Sequence, residues 1–307
     1  MSPPGASSES PATRCGFIAV MGAPNSGKST LVNRLVGAKV SIVSPKVQTT
    51  RTRVTGIALE GASQIVFLDL PGVFEARKRL DRAMVDAAWR GAEDADQVLL
   101  LADATRRFDD KTRRIVEGIR SRGLDAALAI NKIDLVKPPT LLKLTQELND
   151  ATGFAATFMI SAANGDGVGD LKAYLARAAP EGPWLYPDDQ ISDMPERLLA
   201  AEITREQAFV QLRQELPYSI AVETGKWVEF RDGSARIEQV VYVQRDNQRK
   251  IVLGEGGSRI KAIGAAARAE MSRAFGRNIH LFLHVKVAED WAERRDFYRL
   301  WGLQYEA

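Results

Sequence analysis

The chain has 307 residues, 45% of them hydrophobic and 26% charged, a balance that suits a globular protein long enough for two domains. A single cysteine, Cys15, excludes an internal disulfide and makes a reducing cytoplasm the default; two histidines, His280 and His284, on a strand-like run with no cysteine partner, give no reason to expect a bound transition metal. Net charge is only +3, and from Glu181 onward 18 Lys+Arg face 20 Asp+Glu, so charge informs only through local placement.

Residues 1–14 are rich in Ser and Pro and lack the basic start and apolar stretch of a signal sequence, which predicts a disordered tail. Nowhere in the chain does an apolar run approach the ~20 residues needed to span a bilayer. Phe17 to Met21 reads as a buried strand and Thr30 to Val36 as a helix, and between them Gly22-Ala23-Pro24-Asn25-Ser26-Gly27-Lys28-Ser29 fits G-x-x-x-x-G-K-[ST]. In that turn the backbone amides from Gly22 through Asn25, Ser26 and Gly27 to Thr30 can wrap phosphates at a helix N-terminus. Lys28 can reach the β and γ oxygens, and the Ser29 hydroxyl can bind Mg²⁺.

Gln48-Thr49-Thr50-Arg51-Thr52 is polar and shows no burial pattern. A threonine in such a loop can complete the Mg²⁺ shell when GTP is bound, with Thr50 the choice and Thr49 the reserve. The strand Ile65 to Leu68 ends in Asp69-Leu70-Pro71-Gly72, a D-x-x-G motif in which Asp69 would hold Mg²⁺ through a water and the Gly72 amide would meet a γ-phosphate. Lys28, Thr50 and Gly72 are therefore the candidate catalytic residues. Ala126 to Ile130 delivers Asn131-Lys132-Ile133-Asp134 to a strand end. There Asp134 can accept from both ring-edge donors of guanine, Asn131 can meet the base edge or brace the loop, and Lys132 can lay its stem along the ring; adenine lacks that donor pair. Ser161-Ala162, after the apolar Thr157 to Ile160, completes the set.

Three prolines and a glycine between Pro180 and Pro187 mark a linker. Beyond it the pattern predicts a helix over 195–214, strands over 219–230 and 235–244, a short helix over 248–253, the turn Gly254-Glu255-Gly256-Gly257, a long helix over 258–275, a strand over 279–287 and a last helix over 291–300. This is the order of a type II KH fold, with G-x-x-G where the backbone must come close to RNA. Arg249, Lys250, Arg259 and Lys261 flank Gly254, Glu255, Gly256 and Gly257 as candidate RNA-binding residues.

The wording G-x-P-N-x-G-K-S-T, the T-T-R of the switch loop and D-x-P-G resemble the Era-like GTPases, and Tyr186-Pro187, Glu215-Leu216-Pro217-Tyr218 and Arg245-Asp246-x-Gln248 extend the resemblance over about residues 16–303. It implies a Ras-like doubly wound α/β P-loop GTPase domain over 15–179, a linker over 180–194 and an α+β type II KH domain with a C-terminal helix over 195–307. It further implies a monomeric, cytoplasmic ribosome-assembly GTPase, using GTP/GDP and Mg²⁺, that binds 16S rRNA near its 3′ end during maturation of the 30S subunit and touches the inner membrane peripherally. A signalling GTPase whose C-terminal domain docks protein is the competing reading. Val73 stands where Ras-type enzymes place a water-orienting glutamine, so slow intrinsic hydrolysis is expected. Asn25 occupies the position that helps hold K⁺ in cation-dependent relatives. The sequence departs from the family at Leu70, where threonine is usual, and at Glu255, where lysine is usual.

Overall fold

The computed structural model describes residues 12–44, 46 and 49–306; residues 1–11 of the expected tail, and Gln48 of the switch segment, lie outside the described residues. The first half is a six-stranded sheet of β1 (Arg14–Gly22), β2 (Val54–Glu60), β3 (Ser63–Asp69), β4 (Gln97–Asp103), β5 (Ala126–Asn131) and β6 (Thr157–Ile160), with α1 (Lys28–Val36), α2 (Arg79–Glu93), α3 (Asp110–Ser121), α4 (Pro138–Ala151) and α5 (Val168–Ala178) on its two faces. Strand order is β2-β3-β1-β4-β5-β6, parallel throughout except for β2 against β3. The near-continuous apolar runs of β1, β4 and β5 follow from this, since a parallel strand covered on both faces has no polar side to show. One layer buries Leu31, Leu171 and Leu175 of α1 and α5, and the other buries Ala88, Ile115 and Leu144 of α2, α3 and α4. Asp109 starts α3 by accepting from Thr112 N, and Pro138 starts α4, where the missing amide hydrogen costs nothing. Strand order reverses beside β1 and β4, and the loops leaving their carboxyl ends are where an α/β sheet binds ligands.

Residues 181–192 run along the first domain as a strap. Gln64 exchanges hydrogen bonds with Leu185 and Tyr186, Ile57 N donates to Ile191 O (2.9 Å), and Ser192 Oγ donates to Thr55 O (2.6 Å). The free edge of β2 is thereby covered.

The second unit comprises α6 (Glu196–Gln211), β7 (Ile220–Glu229), β8 (Ala235–Val243), α7 (Asp246–Leu253), α8 (Ser258–Ala274), β9 (Ile279–Val287) and α9 (Arg295–Leu300). Its sheet has the order β7-β8-β9, antiparallel then parallel. Alternation puts Ile279, Leu281, Leu283 and Val285 of β9 against the helices, and the opposite face receives the C-terminal segment. The single helix expected over 291–300 is instead a short turn, Trp291–Glu293, followed by α9. Extended backbone at Arg294 (ψ 121°) breaks it, as Trp291 turns inward and donates Nε1 to Ser219 O. Trp291, Phe297, Tyr298 and Trp301 bury themselves together with Ala83 and Met84 of α2, so one hydrophobic cluster spans both domains.

Candidate functional site

The P-loop closes around Lys28, which is 7% exposed and donates Nζ to Gly22 O and Ala23 O, both at 3.2 Å. Burial pushes its ammonium down to about 8, with Asp69 acting in the opposite sense. Phosphate oxygens would replace two weak carbonyl acceptors with charged ones, which gives this lysine a reason to be there. Asn25, at φ +67°, and Thr30 line the cleft with Lys28, Ser29, Thr50 and Gly72. Gly72 closes it from above, where a Cβ would stand 3.2 Å from Pro24 and 3.3 Å from Lys28 Nζ.

Three hydroxyls converge on one carboxylate oxygen. Ser41 Oγ, Ser29 Oγ and Thr50 Oγ1 donate to Asp69 Oδ2 at 2.6, 2.7 and 3.4 Å, and Ser29 Oγ lies 3.0 Å from Thr50 Oγ1. The other oxygen, Asp69 Oδ1, is buried with no hydrogen-bond partner among the described residues. Burial raises the carboxyl's pKa while the hydroxyls and Lys28 pull it back. A fully buried carboxylate with an orphaned oxygen beside hard hydroxyl oxygens fits Mg²⁺. Thr50 rather than Thr49 is the threonine that reaches it. Ser41 was not foreseen, since its stretch, Lys39-Val40-Ser41-Ile42, carries no motif.

The switch segment, expected to be without a burial pattern, is buried: Thr50, Arg51 and Thr52 are 6%, 0% and 5% exposed. Arg51 donates to Ile220 O (2.7 Å) and Tyr218 O (3.1 Å) and lies within 6 Å of the rings of Phe209, Trp291 and Trp301. Every one of these partners is more than 150 residues away, so no local periodicity could reveal the burial.

At the base end, Asn131 braces loops. Its Nδ2 donates to Ser26 O (2.8 Å) and its Oδ1 accepts from Ala162 N (2.9 Å), joining the P-loop to the Ser161-Ala162 turn. Gly27, at φ +101°, leaves room for this bridge, because a Cβ there would fall 2.3 Å from Asn131 Nδ2. Ser161 is fully buried, and Arg34 holds the turn by donating to Ala162 O (2.6 Å). Lys132 takes a left-handed backbone (φ +67°) and donates Nζ to Asn25 O (2.8 Å) and Asp103 Oδ2 (2.7 Å). Asp103, at the end of β4, was also unforeseen; burial opposes its charge, but bonds from Lys132 and Thr105 hold its carboxyl below the usual range. Asp134 is exposed on the turn that follows.

In the second domain the Gly254–Gly257 turn joins α7 to α8. Gly256 has φ +58° with nothing within 4 Å of a would-be Cβ, and Glu255 beside it is exposed. Lys250 and Arg249 pair with Asp246 (3.3 and 3.8 Å), while Arg259 caps α7 by donating to Ile251 O (3.0 Å). Lys261 and Arg268 instead line a groove of about 310 Å³ between α8 and β9 together with Ile260, Gly264, Leu281 and Leu283. Phe282, 44% exposed, lies on the outward phase of β9 with the Arg236 guanidinium 4.5 Å from its ring centre.

A phosphate cradle, a carboxylate-centred cation site and a guanine-type loop on one sheet, followed by a GxxG module, define a guanine-nucleotide-binding protein with an appended KH domain. Family models agree: one described as a 50S ribosome-binding GTPase matches residues 17–132, and a KH-domain model matches 215–292. GTPase Era of Rhizobium meliloti is 56% identical over 95% of this chain and 94% of its own, and GTPase Era of Dinoroseobacter shibae is 57% identical over 95% and 96%. A crystal structure of Era with MgGDPNP and nucleotides 1506–1542 of 16S ribosomal RNA superposes with a TM-score of 0.89 at 38% identity, covering 94% of this chain and 99% of that one. The chain belongs to the Era family of GTPases.

Proposed function

We propose that this protein hydrolyses GTP as a switch, binds 16S rRNA near its 3′ end through the KH domain, and assists assembly of the 30S subunit. The observation that carries the GTPase half is the meeting of Ser29 and Thr50 on the buried Asp69 carboxylate beside Lys28. The RNA half rests on family membership, on the Era structure that holds 16S RNA, on the open backbone at Gly256 and on the groove lined by Lys261 and Arg268.

In this reading Asp134 selects guanine, Lys132 and Asn131 hold the loop that carries it, and the P-loop amides bind the phosphates. Lys28 places its ammonium at the β and γ oxygens, where charge spreads as the terminal phosphoryl departs. Ser29, Thr50 and Asp69 would hold Mg²⁺, which neutralises charge on the β- and γ-phosphates when bound. Val73, 9% exposed and aliphatic, cannot orient the attacking water, so the chain hydrolyses GTP slowly on its own. Residues 180–194 connect the two domains. The reading extends to a monomer in the cytoplasm that touches the inner membrane peripherally; among the described residues no helix is long and apolar enough to cross a membrane.

Single-turnover hydrolysis and titration with a 16S 3′-end oligonucleotide test both halves. Asp69→Ala should lower hydrolysis by at least ~100-fold with RNA binding retained, as expected when a metal-holding carboxylate is lost, and Gly256→Asp should weaken RNA binding with hydrolysis retained. An Asp69→Ala protein that turns over normally would refute the assignment of the reaction site.

A further inference from the structure

The loop that supplies Thr50 is held from outside its own domain. Lys39 Nζ pairs with Glu206 (2.6 Å) and Glu270 (2.9 Å), and Val43 N donates to Glu206 Oε1 (2.7 Å). Lys46 Nζ caps the end of α6 at Phe209 O and Leu212 O, Arg205 donates to Thr49 O, and Arg51 enters the aromatic cage of Phe209, Trp291 and Trp301. All of these partners belong to the second domain, and they fasten the loop at intervals from residue 39 to residue 51. Thr50 sits one residue before Arg51, with its hydroxyl turned to Ser29 and Asp69. Arg51 follows Thr50 directly in the chain, so with the guanidinium held by two carbonyls and three rings the backbone that carries Thr50 is restrained as well.

We propose that Arg51 is a positioning residue, clamped by the KH domain, that holds Thr50 in its GTP-competent place, so that the second domain completes the GTP site. The proposal rests on the reading of Thr50 as the group that serves GTP and not GDP. Two features make Arg51 suited to the task. Its planar fork reaches two carbonyls at once, at Ile220 and Tyr218, and its flat guanidinium lies among three aromatic rings, neither of which a lysine ammonium reproduces. Glu206 is the corresponding clamp from the other side, a 5%-exposed carboxylate that binds a lysine and a backbone amide of the same loop. Because coupling is reciprocal, GTP must tighten the docking of the KH domain by the factor with which docking tightens GTP.

The test compares affinities of the full-length protein for GDP and for GDPNP with Mg²⁺, using Arg51→Lys, Glu206→Gln and Thr50→Ala. Arg51→Lys and Glu206→Gln should each weaken GDPNP about tenfold and leave GDP within about twofold, as expected for losing one or two buried charge-assisted bonds that act only in the GTP state. Equal losses for both nucleotides would reveal a merely structural role and overturn the proposal, as would no loss for either. Thr50→Ala separates the clamp from the group it positions. If Thr50→Ala discriminates GDPNP from GDP and the other two variants do not, the clamp is wrong. If Thr50→Ala itself fails to discriminate, the assignment of Thr50 is wrong.

Discussion

Replacing Asn131 by alanine separates holding a base-recognition loop from reading the base. The side chain makes two buried bonds, 2.8 Å to Ser26 O and 2.9 Å from Ala162 N, and is 2% exposed. Each bond contributes about 1 kcal/mol net, and a carbonyl or amide left buried without a partner costs about 1–3 kcal/mol. At about 1–2 kcal/mol for each of the two groups left unpaired, the braced loop arrangement loses about 2–4 kcal/mol, and GDP, which needs that arrangement, should bind about 30- to 1,000-fold more weakly. Since neither bond involves the base, preference for GDP over XDP should survive. Asp134→Asn should do the opposite, moving preference toward xanthine because an amide offers the donor that xanthine's carbonyl accepts. Gly27→Ala should copy Asn131→Ala, as its Cβ would press to 2.3 Å of Asn131 Nδ2. Competition titrations with GDP and XDP read both quantities. Should Asn131→Ala erase the guanine preference, or change affinity by less than about threefold, the bracing role would be refuted.

Lys28 gives a pH dependence. Burial sets its free-state pKa at about 8, and phosphates would raise it in the complex, so below that value the ammonium is already in place and GTP affinity is flat. Above it, binding must take up a proton, and affinity should fall about tenfold from pH 7 to pH 9, with calorimetry in two buffers registering the uptake; Lys28→Arg, charged throughout, should flatten the curve. Asn25 and the aliphatic Val73 predict faster hydrolysis in K⁺ than in Na⁺ at equal ionic strength, and Asn25→Ala should equalise the two rates. Glu255→Lys should raise affinity for a 16S 3′-end oligonucleotide and steepen its salt slope by about 0.7 for each additional phosphate neutralised; an unchanged slope would move the RNA site away from this turn.

The nucleotide motifs were legible because each is a contiguous phrase at a strand end, with chemistry that depends on residue type more than on distant packing. Strands and helices of the second domain were legible for a related reason: β9 alternates cleanly, and α8 carries its apolar side at helical spacing. What escaped were residues defined by partners far along the chain. Ser41 meets Asp69 from 28 residues away and Asp103 meets Lys132 from 29. Arg51 reads as one more polar loop residue until Tyr218, Ile220 and Trp291 fold around it. The basic residues near the GxxG turn are plain in the sequence, yet pairing decides their availability: Arg249, Lys250 and Arg259 are engaged locally, and Lys261 and Arg268 face the groove. Asn131 allows two readings from sequence, and only the geometry of Ser26 and Ala162 chooses between them.

The strap between the domains fixes how far the KH module can travel. Its last anchor on the first domain is Ser192 Oγ on Thr55 O, and α6 begins at Glu196, which leaves residues 193–195 as the connection, a leash of about 11 Å when fully extended. If the grip on the 39–51 loop is released, the module can swivel about this short tether but cannot drift away from the GTPase domain. A tether so short keeps the parted surfaces at an effective concentration of roughly millimolar or above where geometry lets them meet. Re-docking is then set by orientation and not by search, and a modest gain from a γ-phosphate suffices to close the interface, while RNA pulling on the KH domain applies its torque directly at the edge of β2.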